Sequence, residues 1–428
     1  MLSNADEAAG AELIAAVTAE NWQLPPYNRW AYWHARDLLP TLPIAASPRP
    51  RPLPVVEEAP DIAGVGVVRV DGRKSTVGEI LAESYTDAVV VLQDGAVAGE
   101  WYGPEGAPDR THAVMSVTKS VVGCVAAVLA DRGMLDTDQP LTTYVPELAD
   151  SGYAGATVRN VLDMRSGVRF AEDYIDPRSD VWRIGEGPGG IYGYLRGLSA
   201  EVPHGQRFAY RSAETDVLGW VCERAAGRPM PELITTLLWQ PMGAEFGAEM
   251  ICDGTNTGWH DGGLCATARD IARFGQLLLD GGTVPDAQSR EGERTVISAK
   301  WIRDAWAVDA DIRSVFAASP NEASMPGGWY RNQFWFRPGS FGDTLLCLGI
   351  HGQMIHISRR TRTVCVKFST WPDAQNPAFM QDTLRAFDQL GGALSGRHSG
   401  DARHRLGGIA LGAHRHGTAD RPSESNSD

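Results

Sequence analysis

A serine three residues ahead of a lysine is the first arrangement in this chain that could do chemistry. The chain has only four lysines (Lys74, Lys119, Lys300 and Lys367), and one of them closes Ser116-Val117-Thr118-Lys119. On a helix, that spacing puts both side chains on one face, with Cβ atoms about 5–6 Å apart. A serine hydroxyl attacks poorly until a neighbouring base takes its proton. A lysine can be that base where burial lowers its pKa enough to populate the neutral amine. One such spacing among four lysines is close to what chance supplies. Its weight comes from position, after a hairpin and at the head of an apolar helix.

Two further segments bear on it. Tyr210-Arg211-Ser212 follows a loop and precedes a helical pattern. A tyrosine there could relay the proton between serine and leaving group, and Ser212 could bind either the lysine or the substrate. The second segment is Leu348-Gly349-Ile350-His351-Gly352-Gln353. Glycines inside a strand often mark a close backbone approach, here expected to be to a ligand. Other motifs fail. Gly185 to Gly190 matches G-x-G-x-x-G, but no strand precedes it and no good helix follows. There is no G-x-S-x-G elbow, no H-E-x-x-H and no Walker lysine, so no metal or cofactor is expected.

The elements that must position these residues are legible in outline. TDAVVVLQDGAVAGEWYG places apolar runs on either side of Asp94-Gly95, a hairpin signal. Residues 117–132 carry helical apolar spacing and stop at Gly133. Helices are also expected over 157–166, 214–226, 267–280 and 376–390. The runs 344–357 and 362–370 read as adjacent buried strands. Residues 1–80 read as an N-terminal wrap with an aromatic segment, WQLPPYNRWAYWHARDLLP, and a proline-rich spacer, SPRPRPLP. Residues 81–390 form the main domain, with a largely helical insertion over roughly 135–330. The Gly-, Ser-, Arg- and His-rich segment 391–428 reads as a disordered tail whose histidines, His414 and His416 among them, are solvated.

Composition removes several function classes. Lysine plus arginine is 39 against 53 acids, a formal charge of −14. No positive field is available for nucleic acid or an anionic membrane. No stretch reaches the roughly 18–20 apolar residues of a membrane helix. The N-terminus lacks the pattern of a signal peptide. The six cysteines include no C-x-x-C pair and read as buried free thiols. A cytoplasmic protein is expected. The sequence leaves the oligomeric state open, a homodimer included.

Taken in order, the blocks MSVTKS, LTTYVPEL, EDYIDP, YRSAETDVLGW, CATARDIARFGQLLLDGG and GIHGQ, with WQLPPYNRWA before them, resemble the serine hydrolases of the penicillin-recognising fold. That family holds class C β-lactamases, D,D-peptidases and their esterase and amidase relatives. The likeness spans most of residues 20–390 and is nearest to the branch acting on linear 6-aminohexanoate oligomers. It implies an α+β fold, a mainly antiparallel sheet flanked by helices. It also implies a cofactor-free hydrolase of small esters or linear amides, working through an acyl-enzyme. A D,D-peptidase, a β-lactamase and a silent binding protein on the same scaffold are the alternatives.

By the same resemblance, Ser116 would be the nucleophile, Lys119 its base and Tyr210 the partner that shares the lysine's proton and protonates the leaving group. The N–H groups of Ser116 and Ile350 would form the oxyanion hole. The alternative strand register would move the second donor to Met354. Tyr174 would contact the leaving group and Trp335 would wall the acyl pocket. Ser212, Asp261 and His351 complete the expected substrate contacts. Two departures matter. The lysine of a lysine-threonine-glycine strand is absent, which argues against β-lactam or cell-wall peptide turnover. Gly185, beside Glu186, stands where that branch has an acid able to receive a substrate ammonium, and the next such position, Asp261, keeps one acid near the expected pocket.

Overall fold

The computed structural model describes residues 12–409, apart from 59, 287 and 291 and the side chains beyond 396. Its centre is a seven-stranded sheet. In chain order the strands are β1 (Thr86–Gln93), β2 (Ala96–Tyr102), β3 (Trp329–Arg331), β4 (Phe334–Gly339), β5 (Gly342–Gly349), β6 (Gln353–Ser358) and β7 (Thr363–Ser369). They lie in the order β3-β4-β5-β6-β7-β1-β2, every neighbour antiparallel. The first hairpin thus pairs with the last strand, Val90 opposite Val366. Its turn is the one expected: Asp94 and Gly95 both take positive φ, 49° and 82°. β1 and β7 are buried at every position, which explains their unbroken apolar runs.

Helices cover both faces. Four matter most: α1 (Val117–Asp131), α2 (Ser212–Ala226), α3 (Ala268–Leu279) and α4 (Pro377–Ile409). α3 packs on β6, β7 and β1. Its Gly275 lets it close in, because a Cβ there would stand 2.5 Å from Val364. α4 packs against β6 and β1 and the short helix Val77–Glu83. α1 is buried from Val117 to Leu129, wedged between α2 and strands β5 and β6. Gly133, with φ 69°, follows its end as expected.

Four expectations need correction. The run 344–357 is two strands: the chain reverses at Ile350–Gly352, where His351 and Gly352 have φ of 58° and 91°. The helix over 157–166 spans only Val158–Leu162, because Met164 turns to a φ of 56°. The inserted region is largely helical, as expected, and carries short strands as well. It contributes Ala248–Ile251 and Leu264–Ala266 to a four-stranded antiparallel sheet with Thr41–Ile44 and His112–Ala113. The last helix runs past 390 to Ile409, so the segment expected to be disordered from 391 is helical as far as it is described. Leu394 is buried there, and Gly391 allows close packing on Thr361 and Thr363. Residues 410–428, with His414 and His416, lie outside the described residues. The boundary at 80 falls inside the helix Val77–Glu83. No helix among the described residues is long and apolar enough to cross a membrane.

Candidate active site

The approach to α1 is strained. Met115 has φ 48°, a left-handed conformation that costs a side-chain-bearing residue about 1–2 kcal/mol. Thr118 Oγ1 donates back to the Met115 carbonyl at 2.6 Å and accepts from Leu264 N–H at 3.0 Å, which holds the bend. The result is that Ser116 stands half-exposed at the head of a buried helix. One turn on, Lys119 is buried, with its ammonium drawn back to the serine.

Lys119 Nζ lies 2.8 Å from Ser116 Oγ, 3.1 Å from Ser212 Oγ and 2.8 Å from the Asp261 carbonyl. The Asp261 carboxylate is 3.7 Å away, and the Tyr210 ring centroid 5.2 Å. Ser212 opens α2, and its hydroxyl donates to Glu172 Oε1 at 2.7 Å. Its N–H donates to Glu172 Oε2 at 2.8 Å. The Tyr174 hydroxyl donates to Glu172 Oε1 at 2.5 Å. Of the two alternatives read for Ser212, the lysine or the substrate, it takes the lysine, and it sits on Glu172 as well.

The electrostatics reverse another expectation. Burial pulls the Lys119 pKa down, but Tyr210, Asp261, Glu172 and Asp216 outweigh it, and the net shift is upward. The direction is opposite to the depressed lysine expected of a base. Burial pushes the Tyr210 phenol up, with Lys119 opposing. Burial likewise raises Glu172, again against the pull of Lys119. Beneath them Asp216 is fully buried and raised by burial and by Asp261, and its Oδ2 has no hydrogen-bond partner among the described residues.

Ser116 lies at the junction of two clefts. One, of about 820 Å³, carries no charged side chain; Trp335, Trp371, Met325, Met354 and Met380 wall it, with Asn321 and Gln375 among its polar groups. The other, of about 690 Å³, is bounded by Trp182, Trp259, Ile184 and Ile191, with Asp261 its only charge. Ser116, Tyr174 and Ile350 line both. Tyr210 and Trp335 face the first, their rings 4.9 Å apart. Ile350 follows the last β5–β6 pair, Gly349 opposite Gln353, so it lies beyond the ladder.

His351 is not a substrate contact. Its ring is buried away from both clefts, with Nδ1 2.7 Å from the Trp371 carbonyl and 3.4 Å from Asn28 Nδ2. The flanking glycines pack closely on protein, and both also line the first cleft. A Cβ on Gly349 would stand 2.7 Å from the Val114 carbonyl, and one on Gly352 would stand 2.3 Å from the Trp371 indole. Two residues escaped the sequence reading. Glu172 stands two places before Tyr174 in an acidic loop, and nothing local sets it apart. Asp216 did leave a signal: a charge four residues after Ser212 on a helix buried almost throughout.

The chain is similar to several known proteins over most of its length. The model of the family described as Beta-lactamase matches residues 79–389. The 6-aminohexanoate-dimer hydrolase of Paenarthrobacter ureafaciens is 37% identical over 393 residues, covering 87% of this chain and 95% of that protein. Esterase EstB of Burkholderia gladioli is 31% identical over 160 residues, 32% of this chain and 37% of its own. Among solved structures, a candidate 6-aminohexanoate-dimer hydrolase from Bacillus anthracis superposes with a TM-score of 0.78 at 25% identity, covering 90% of this chain and 98% of its own.

Proposed function

The chain belongs to the beta-lactamase family, and from that premise we propose that Ser116, Lys119 and Tyr210 hydrolyse small carboxylic esters and linear amides through an acyl-enzyme. One observation carries the reading: Lys119 Nζ reaches Ser116 Oγ, Ser212 Oγ and the Asp261 carbonyl together. The carbonyl can only accept, and the Ser212 proton is committed to Glu172. A neutral Lys119 therefore directs both N–H bonds to those two oxygens. Its lone pair is left facing the Ser116 hydroxyl. The resting ammonium must first lose a proton, so activity climbs with pH.

In the forward step the Ser116 proton passes to Lys119 while Oγ bonds to the substrate carbonyl. Charge on that oxygen meets the N–H groups of Ser116 and Ile350, donors that matter only once the tetrahedral intermediate forms. Tyr210 returns the proton to the leaving group, with Tyr174 beside it, and water then releases the acyl group. The uncharged cleft suits an apolar or neutral acyl chain. Asp261 in the second cleft is already drawn to Lys119, so a substrate ammonium gains less there and esters outrank linear 6-aminohexanoate amides. β5 offers Cys347-Leu348-Gly349 and no lysine to a carboxylate, so β-lactams turn over near background. A cytoplasmic location belongs to the same reading, supported by six cysteines that are all buried and unpaired.

The test has two arms. A fluorophosphonate should label Ser116, and Ser116→Ala should lose several powers of ten in turnover without unfolding. A matched ester and amide, with nitrocefin beside them, rank the substrates. An active alanine variant, or an adduct on another serine, sinks the mechanism. Amide turnover at or above ester turnover makes amides the primary class.

A further inference from the structure

We propose that Glu172 passes a proton from Lys119 to the leaving group, by way of Ser212 and Tyr174, along a path that does not use Tyr210. The inference rests on the Ser116–Lys119 reading and extends it. An unbroken chain of hydrogen bonds links the groups: Lys119 Nζ to Ser212 Oγ at 3.1 Å, Ser212 Oγ to Glu172 Oε1 at 2.7 Å, and Tyr174 Oη to the same Oε1 at 2.5 Å. The far end is in the right place, since Tyr174 lines both clefts beside Ser116. The middle is held still, because the Ser212 N–H fixes Oε2 at 2.8 Å and leaves Oε1 to both hydroxyls. A carboxylate that burial has moved upward is a fitting temporary acceptor.

The protons balance. The Ser116 O–H bond breaks and its proton goes to Lys119. Lys119 gives a proton to Ser212 Oγ as Ser212 gives its own to Glu172, which becomes a neutral acid. Tyr174 then donates its phenolic proton to the departing atom and takes the one on Glu172. One proton has moved from nucleophile to leaving group, and Glu172 is a carboxylate again. Nothing outside the protein and its substrate is consumed. Tyr210, on the other side of Lys119, offers a parallel route.

A relay of this kind is distinguished from a simple clamp by its leaving-group dependence. The departing 4-nitrophenolate needs no proton, whereas ethoxide does. General acid assistance contributes typically 10²–10⁴-fold, and a parallel route through Tyr210 would retain part of it. Glu172→Gln should therefore lower kcat/KM on the ethyl ester about 10- to 100-fold. On the 4-nitrophenyl ester of the same acid the change should be slight. Tyr174→Phe, which leaves Glu172 to hold Ser212, should show the same selective loss even if the glutamine variant folds poorly. The double variant should be no worse than the poorer single one, because both lie on one path.

Equal losses on the two esters would make Glu172 a clamp and overturn the relay, as would no loss on either. Those results leave fluorophosphonate labelling of Ser116 intact. Loss of labelling specificity for Ser116 in the wild-type protein would instead bring down the underlying mechanism.

Discussion

Replacing Gly352 with alanine should damage both stability and catalysis, for two separable reasons. The first is conformational: φ at this position is 91°, where an L-residue is strained by about 1–2 kcal/mol. The second is spatial. The new Cβ would stand 2.3 Å from Trp371 Cε2 and 2.5 Å from its Nε1. That ring cannot swing away freely, because Nε1 donates to the Ser84 carbonyl at 2.9 Å in a buried site. Overpacking of this sort costs about 1–3 kcal/mol, for a total of about 2–5 kcal/mol. The catalytic effect follows because Ile350 and Gly352 belong to one three-residue turn, and the Trp371 N–H donates to the His351 carbonyl at 3.1 Å. Displacing the turn would move the Ile350 N–H, the proposed second oxyanion donor, out of place. Loss of one such donor costs about 10²–10³ in kcat. The assay is urea unfolding together with kcat and KM on a short-chain 4-nitrophenyl ester. Gly227→Ala is the control, since φ there is 65° but nothing lies within 4 Å of the added methyl. If Gly352→Ala costs no more than Gly227→Ala and keeps wild-type kcat, Trp371 does not hold the turn and the argument fails.

Three other outcomes are expected. Because the acids around Lys119 raise its pKa, kcat/KM should keep rising above neutral pH with no plateau near pH 7, and Lys119→Arg should be nearly inactive; a neutral plateau would mean a depressed lysine. Lys367, buried within β7 and lowered by burial to about 7, should release its proton near neutrality in the folded state and near its ordinary value when unfolded. Stability should therefore rise from about pH 7 to 10, by up to about 4 kcal/mol, and Lys367→Met should flatten that slope; equal slopes by urea titration would refute it. Ending the chain at Leu390 removes buried Leu394 and should cost about 1.5–3 kcal/mol, whereas ending it at Gly396 should leave the melting temperature within a degree or so; equal melting curves would show that Leu394 holds nothing.

What the sequence disclosed tracks how far apart the cooperating residues lie. The Asp94-Gly95 hairpin and the Ser116–Lys119 pair are set by two and three neighbouring residues, and both read directly. The charge of Lys119 did not, because its acids come from three separate segments, at Glu172, Asp216 and Asp261. Glu172 meets Ser212 across 40 residues. The break in 344–357 was hidden by apolar residues on both sides, although Gly352 was a usable sign of a turn. His351 looked like a ligand contact only while Asn28 and Trp371 could not be seen against it. α4 outran its expected end because Leu394 finds a buried site that composition alone does not announce.

The contact between Asn28 and His351 joins residues 323 positions apart. Tyr32 adds an edge-on ring contact to the same histidine, 5.8 Å between centroids. The backbone that presents the Ile350 N–H is thus braced by a segment near the other end of the chain. Contacts of such long sequence separation form late, since the entropy of closing the loop must be met before they stabilise anything. During refolding, helix and sheet signals should recover first, and hydrolysis should lag until the segment carrying Asn28 and Tyr32 docks on the turn between β5 and β6. Enzymatic activity then serves as a clock for the closing step of folding. A tag or fusion that crowds residues 22–33 would stop that clock while leaving most of the secondary structure in place.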